Sequence, residues 1–123
     1  MPSESRKTGD VAEDAVVKYA KDKNWKILAR NFEKPWGEID IVAQDKNTLL
    51  FIEVKSVIGE SEYFKPEDNF DHKKRKKMIR ACKGYLLEND YPEDTDWRVD
   101  LAAVNLDFDT RNARVRYYKN AIA

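Results

Sequence analysis

Residues Gly37–Lys55 read GEIDIVAQDKNTLLFIEVK, and within them acidic residues and a lysine interrupt two apolar strands. Apolar residues alternate along each predicted strand, as they do where a strand buries one face; they are Ile39, Ile41 and Ala43, then Leu50, Ile52 and Val54. The polar segment Asp45–Thr48 between them is short enough for a hairpin. Because charge in a core-forming strand is costly unless it is bound or paired, this stretch predicts a hairpin and a functional site together.

The register of this hairpin follows from its apolar residues. When Asp40 lies opposite Glu53, all six apolar residues share one face, whereas a slip by one residue places Glu53 among the aliphatic side chains. The same register pairs Glu38 with Lys55. Directly opposed residues have Cβ atoms about 4.5–5.5 Å apart, which lets two carboxylates share a cation through bonds of about 2.0–2.1 Å. We therefore predict that Asp40 and Glu53 hold a divalent metal ion.

The alternative is a surface ladder in which Glu38 pairs with Lys55 while Asp40 and Glu53 are solvated. Like charges placed opposite each other disfavour strand pairing by a few tenths to about 1 kcal/mol. Exposed ion pairs return little stability to offset that cost. The metal site is the favoured interpretation.

An acidic residue on one strand, followed by Glu-x-Lys on the next, resembles the PD-(D/E)xK nuclease superfamily. The chain is similar in particular to one branch of it, the YraN family of proposed endonucleases, over about residues 9–104. The residues that carry the resemblance are Ala12-Glu13, Arg30-Asn31, Gly37–Asp40, Phe51–Lys55, Lys74, Lys77, Ala81, Tyr85-Leu86 and Arg98–Asp100. Two positions depart from it: Ser56-Val57 stands where the family usually has an Arg, and Asn24 where it often has Gly. The first departure puts a phosphate contact there in doubt, whereas Asn24 tolerates the left-handed conformation of a helix C-cap.

The resemblance implies a metal-dependent endonuclease that hydrolyses DNA phosphodiester bonds with Mg²⁺ or Mn²⁺, ions that suit oxygen ligands. Asp40 and Glu53 would hold the ion, with the Val54 carbonyl completing its shell. Lys55 would orient the attacking water or neutralise the phosphate, and Glu38 would hold Lys55 in place. Likeness to Holliday-junction-resolving enzymes implies branched DNA and a homodimer, although no dimer seam is evident in the sequence.

The coarse layout has the order αβββαββ, which predicts an α/β fold with a mixed sheet flanked by helices, as in restriction-endonuclease-like proteins. Residues 1–123 form one domain, in which 1–8 are expected to be a disordered tail and 57–70 a mobile loop beside the site. The helices are predicted at residues 10–23 and 71–89. The strands are predicted near residues 25–32, 37–44, 48–56, 98–106 and 113–119.

Composition bounds the class of protein. The chain has 123 residues, 37% of them charged, a formal net charge of zero and one cysteine. Cys82, on the apolar side of the second helix, is expected to be a core residue rather than a nucleophile. No apolar run approaches a membrane span, and no hydrophobic signal segment is present. With no internal disulfide to form, a cytoplasmic chain is the simplest interpretation.

Charge is sorted along the chain despite the neutral total. Seven Lys or Arg residues and no acid occur from His72 to Lys83. They could form a solvated helix face, but so many like charges repel one another unless a polyanion relieves them. We therefore expect a nucleic-acid-facing surface, to which we assign Lys73, Lys74, Lys77, Arg80 and, from the first strand, Arg30.

Several residues have two interpretations. Glu13 could reach the metal site, or could form a capping box with Asp10 at the start of the first helix. Asp100 could be an additional acid of the site, but a structural pairing with Arg98 is preferred. Arg30 and Asn31 could contact a DNA backbone or end a strand.

Residues that could act outside the acidic site are also assigned. His72 is expected to start the second helix rather than ligate zinc. Trp25, Trp36 and Trp97 are expected to be core or edge anchors, and Trp36 is the tryptophan most worth testing as a platform for bases.

Three functions remain open at this point: an endonuclease, a catalytically silent nucleic-acid-binding module on a nuclease scaffold, and a purely structural domain. The sequence does not distinguish linear, nicked, branched or junction DNA, or RNA, as the substrate. Nor does it say whether one or two ions are used.

Overall fold

The computed structural model of the protein describes residues 4–58 and 69–122. The predicted order αβββαββ is confirmed, as is a mixed α/β fold in which helices flank one sheet. The elements are α1 (Glu4–Asp22), β1 (Lys26–Lys34), β2 (Gly37–Asp45), β3 (Thr48–Ile58), α2 (His72–Glu88), β4 (Asp96–Asp107) and β5 (Asn112–Tyr118).

The five strands lie in the sheet in sequence order, β1-β2-β3-β4-β5. All neighbouring pairs are antiparallel except β3 and β4, which are parallel. Parallel neighbours need a crossover connection rather than a tight turn, and α2 lies within this one. The crossover places the basic helix against the same part of the sheet that carries the acidic motif.

Both faces of the sheet are buried, whereas the sequence predicted one buried face for each motif strand. Ala12, Val16 and Ala20 of α1 pack on one face against Ile41 and Ile52. The opposite face packs on α2, through a cluster that includes Val42, Phe51, Met78, Cys82, Tyr85 and Leu101. Near-continuous apolar runs are typical of strands covered on both sides. The apolar residues Val42, Leu49 and Phe51 therefore indicated that the second face of the sheet is also buried. The prediction that Cys82 is a core residue is confirmed, and burial raises the pKa of its thiol.

Helix α1 begins at Glu4, six residues earlier than the predicted start at Asp10. Residues 4–8, which were expected to belong to a disordered tail, are assigned to this helix, while residues 1–3 lie outside the described part of the chain. Similarly, Val57 and Ile58 continue β3. The rest of the loop predicted at 57–70 lies largely outside the described residues, which resume at Asn69.

Helix α2 begins where the sequence placed it. Asp71 is its N-cap, and the Asp71 side chain accepts a hydrogen bond from the Lys74 backbone N–H at 2.8 Å. Such a cap satisfies one of the free N–H groups at a helix start. His72 is the first helical residue, as predicted.

Asp100 is fully buried in β4 and its carboxylate is bonded to three residues. The Arg98 Nε donates to the two carboxylate oxygens at 2.9 and 3.0 Å, and the Tyr117 hydroxyl donates to Oδ2 at 2.5 Å. The backbone N–H of Asn120 donates to Oδ1 at 3.0 Å. The structural interpretation of Asp100, as the partner of Arg98, is confirmed.

Replacing Asp100 by asparagine is expected to lower the free energy of unfolding by about 2–3 kcal/mol, because the hydrogen bonds to a buried charge are lost and Arg98 is left without its counter-charge. Urea denaturation measures this. Asp96→Asn is the matched control, since Asp96 is exposed at the start of the same strand and should change stability by less than about 0.5 kcal/mol. Equal effects of the two substitutions would contradict the structural role.

Candidate functional site at the divergence of β2 and β3

The motif strands pair regularly and then separate at the acidic residues. The ladder runs from Asp45–Thr48 to Ile41–Ile52, which confirms the predicted register. It ends there, so the predicted ladder pairs Asp40–Glu53 and Glu38–Lys55 do not form. Instead, the Asp40 Oδ2 accepts a hydrogen bond from the Val54 backbone N–H at 2.8 Å. The Asp40 carboxylate thus occupies the gap between the strands.

The same point marks a change of face. Ile39 packs in the α2-side cluster, although Ile41, two residues later, packs on the α1 side. The prediction that Ile39 shares a face with Ile41 is therefore wrong. The change coincides with Asn31 on neighbouring β1, whose φ of 53° lies in the left-handed region; a residue in this conformation breaks the regular alternation of a strand.

The electrostatics around Asp40 are unfavourable to its charge. Its pKa is raised from 3.8 to about 6, first by burial and then by the negative charges of Glu53, Glu13 and Glu38. The Val54 N–H opposes this by stabilising the carboxylate. Acidic side chains from α1, β2 and β3 therefore all oppose the charge of Asp40.

Glu13 approaches the site from α1. Burial is the main cause that raises the pKa of its carboxyl, whereas Arg30 and a hydrogen bond with Asn31 lower it. Its Oε1 is buried without a hydrogen-bond partner, and the Arg30 Nη2 lies 3.7 Å away, an ion-pair distance beyond hydrogen-bond length. Because α1 begins at Glu4, Asp10 lies inside the helix and the capping-box alternative is excluded. Arg30 itself donates to Asp14 at 3.0 Å, so it faces the acids of α1, in contrast to the phosphate contact proposed for it.

Glu53 is held by Asn69, which precedes α2, and by Lys74 in the first turn of α2. The Lys74 Nζ lies 3.0 Å from Oε1, and the Asn69 Nδ2 donates to Oε2 at 2.8 Å. Sequence reasoning assigned Lys74 to nucleic acid alone and missed Asn69, because no local pattern connects either residue to Glu53. Lys74 remains 43% exposed at its side chain, so its ammonium is accessible to a second anion.

Lys55 follows Glu53 by two positions and is exposed. It forms no ion pair with Glu38, although both side chains lie in the described part of the chain. In the ladder between β1 and β2, Glu38 lies opposite Glu33 instead. The predicted positioning of Lys55 by Glu38 is therefore absent, since the strands that would bring them together have separated.

A groove of about 570 Å³ lies between α2 and the part of the sheet that carries Glu38 and Glu53. Glu38 and Glu53 line it together with Lys74 and Lys77, while Asp40 and Lys55 are not among its lining residues. Gly37 makes this arrangement possible: a Cβ there would lie 2.9 Å from the Ala81 Cβ, so only glycine lets β2 approach α2 this closely. The glycine of the motif thereby sets the distance between the acidic strand and the basic helix.

The donor set suits a hard divalent cation. In residues 4–58 and 69–122, no three acidic, histidine or cysteine side chains are already gathered as ligands for one ion. Mg²⁺, however, commonly keeps several waters and uses only one or two carboxylates together with substrate phosphate. Asp40, Glu53 and the Val54 carbonyl could supply oxygen ligands of this kind, and the Glu13 Oε1, which has no hydrogen-bond partner, could accept from a bound water.

The remaining candidates divide between surface and core. Lys73, Lys77 and Arg80 are exposed on α2. Trp25 is buried and Trp97 packs against Phe51, as predicted for anchors, but Trp36 is exposed.

Neither helix within the described ranges combines the length and apolar character needed to cross a membrane.

Comparison with known proteins assigns a family but no activity. The model of the family described as "Uncharacterised protein family UPF0102" matches residues 12–104. A UPF0102 protein of Fervidobacterium nodosum is 34% identical over 116 residues, which covers 94% of this chain and 82% of the relative. One from Francisella tularensis subsp. novicida is 35% identical over 114 residues, 92% of each chain. One from Persephonella marina is 43% identical over 82 residues, 67% of this chain and 70% of the relative.

Proposed function

This chain belongs to the UPF0102 family, and we propose that it is a cytoplasmic endonuclease of the YraN branch of the PD-(D/E)xK superfamily. In this proposal it hydrolyses DNA phosphodiester bonds with Mg²⁺ or Mn²⁺. The fold and the order of the motif residues are compatible with that assignment.

One arrangement carries the proposal: the Asp40 carboxylate lies in the gap between β2 and β3, bonded to the Val54 N–H, where burial and three other acids oppose its charge. A purely structural site would gain stability from neutral or paired groups at these positions. A bound dication would relieve the repulsion, and metal binding is a function for which such strain is commonly retained. The Glu13 Oε1, which is buried without a hydrogen-bond partner, points to the same conclusion.

Each residue has a separate task in the reaction. A bound metal ion would supply Lewis acidity to the phosphate and lower the pKa of water. Asp40 and Glu53 would bind the ion from the two separated strands, and the Val54 N–H keeps the Asp40 carboxylate turned into the gap between them. The exposed Lys55 ammonium would stabilise the negative charge that develops on the phosphoryl oxygens. Lys74 and Lys77 would bind flanking phosphates.

A second candidate, the catalytically silent nucleic-acid-binding module, is favoured by one contact. The Lys74 ammonium already neutralises Glu53 at 3.0 Å. If that ion pair persists when nucleic acid binds, it competes with a metal ion for Glu53.

A cleavage panel tests the proposed function. Linear, nicked, branched and four-way-junction DNA, and RNA, are incubated with the protein in Mg²⁺, Mn²⁺ or EDTA. We expect metal-dependent cleavage of at least one DNA substrate, and the panel identifies which. Binding without cleavage in either metal ion would instead favour the silent module.

Lys74→Ala distinguishes the two roles of this lysine. Because the ion pair with Glu53 is partly exposed and therefore weak, its removal should tighten Mn²⁺ binding by only about two- to fivefold while DNA binding weakens. Isothermal titration of Mn²⁺ and DNA anisotropy measure the two effects. Lys73→Ala is the control, since Lys73 is exposed on the same helical turn and should leave Mn²⁺ binding unchanged. Weaker Mn²⁺ binding by the Lys74 variant would show that this lysine supports the site instead of competing for it.

A further inference from the structure

Trp36 presents a fixed aromatic surface to solvent. It lies in the two-residue turn Pro35–Trp36 that joins β1 to β2, and 42% of its surface is exposed. Its indole rests on Gly84 of α2, where an added Cβ would lie 2.7 Å from the indole Nε1. The absence of a side chain at Gly84 thus lets the indole lie against the helix backbone while its outer side stays open.

Cationic residues share a groove with the indole. Lys76, Arg80 and Lys83 lie at helical spacing along α2 and line an open groove together with Trp36 and Lys34. Glu88, the acid among the described residues of this groove, is paired with the Lys34 Nζ at 2.8 Å. The remaining positive charge makes this a surface for a polyanion.

Trp36 also links this basic groove to the acidic site. Its side chain lines both the basic groove and the groove that contains Glu38 and Glu53. A nucleic-acid strand with one phosphate at the acidic site and its neighbours on the α2 cations would therefore pass over the indole.

We infer that the Trp36 indole stacks on an unpaired base, and hence that the substrate carries single-stranded nucleotides beside the phosphate at the acidic site. The inference rests on the proposed function for the position of that phosphate. Bases in the interior of a duplex are already stacked on both sides, so away from the duplex ends an indole at the surface gains a stacking contact only from an unpaired base. Stacking of a base on an aromatic side chain contributes about 1–3 kcal/mol and tolerates any base.

Binding in EDTA tests this stacking without requiring cleavage. Anisotropy is measured with a fluorescent blunt DNA duplex and with the same duplex carrying a short oligo-dT tail. The natural chain should prefer the tailed probe, and Trp36→Ala should weaken binding of that probe by about 5- to 150-fold, the loss expected for one stacked base. Binding of the blunt duplex should change less than about twofold, since the phosphate contacts remain.

Two further variants separate stacking from folding. Trp36→Phe keeps an aromatic ring and should retain part of the preference for the tailed probe. Gly84→Ala should displace the indole, and the variant should therefore lose its preference for the tailed probe. Because alanine favours the helix by up to about 1 kcal/mol relative to glycine, this loss should occur without a lower melting temperature. Phe108→Ala is the matched control, because Phe108 is 58% exposed in the turn between β4 and β5.

Three outcomes would overturn the inference: no preference for the tailed probe by the natural chain, an unchanged preference in Trp36→Ala, or competition by poly-glutamate that exceeds competition by oligo-dT. The last would assign the groove to an acidic protein segment. Failure of the cleavage panel with an intact preference for the tail would overturn the nuclease activity alone.

Discussion

Lys55→Ala is expected to abolish metal-dependent cleavage while the protein stays folded and still binds DNA. Lys55 is exposed and forms no ion pair with Glu38 or another described acid, so its truncation removes no ion pair within the described part of the chain. In the reaction, however, its ammonium is the charge nearest in sequence to Glu53 that could stabilise the developing negative charge on phosphate. Loss of one such positioned group costs about 10²–10³ in rate.

The measurement is the initial cleavage rate at saturating Mn²⁺, with DNA binding and melting temperature determined in parallel. Lys26→Ala serves as the control, because Lys26 is also an exposed lysine on a strand of the sheet. A Lys55→Ala protein that cleaves at the natural rate would remove Lys55 from the mechanism. Parallel loss of cleavage and binding would make it a binding residue instead.

Asp40→Asn is expected to stabilise the metal-free protein and to abolish its response to Mn²⁺. Asparagine has the same shape, and its side-chain oxygen can still accept the hydrogen bond from the Val54 N–H. It removes the negative charge that burial, Glu53, Glu13 and Glu38 all oppose. The natural chain should show a rise in melting temperature with Mn²⁺, whereas the variant should start higher and show none.

The contribution of Asp40 to the stability of the folded protein changes with pH in a definite direction. The pKa of Asp40 is raised to about 6 in the folded protein, from 3.8 for a free side chain. Between these values the folded state holds a proton that the unfolded state has lost, so the stability contributed by protonated Asp40 is present below about pH 4 and lost as pH rises through about 6. A shift of this size corresponds to about 3 kcal/mol.

The difference in stability between the variant and the natural chain should therefore be near zero at pH 4 and grow towards pH 7. Urea denaturation in EDTA at several pH values measures it, with Asp96→Asn as the exposed control. An Asp40→Asn protein that is less stable at neutral pH, or that binds Mn²⁺ as tightly as the natural chain, would contradict the metal-site assignment.

The hairpin was predictable because its determinants are local. Ile41 and Ala43 on β2, matched by Leu50 and Ile52 on β3, allow one register that buries all four side chains on the same face, and that register is observed. The element order followed in the same way from apolar periodicity. The burial of Val42 and Phe51 was missed because a single alternating pattern was assumed where the apolar run is nearly continuous.

The sequence indicated which acidic residues come near one another, but not how their side chains are arranged. The charge of Glu53 raises the pKa of Asp40, but the predicted ladder pair is absent because the two strands have separated there. Lys55 and Glu38 remain apart. Asn69 and Lys74 bind Glu53 through contacts with no sequence signature, since each depends on where the crossover after β3 returns to the sheet.

The amino-acid order by itself determined the strands, their register and the acids they carry, because hydrophobic alternation and turn residues act over a few neighbouring positions. Only the tertiary structure decided that β2 and β3 separate beyond the Ile41–Ile52 pair, that Glu13 faces the gap, and that Trp36 rests on Gly84. Those features arise where α1 and α2 pack on opposite faces of one sheet, and such packing joins residues too distant in sequence for any local pattern to relate.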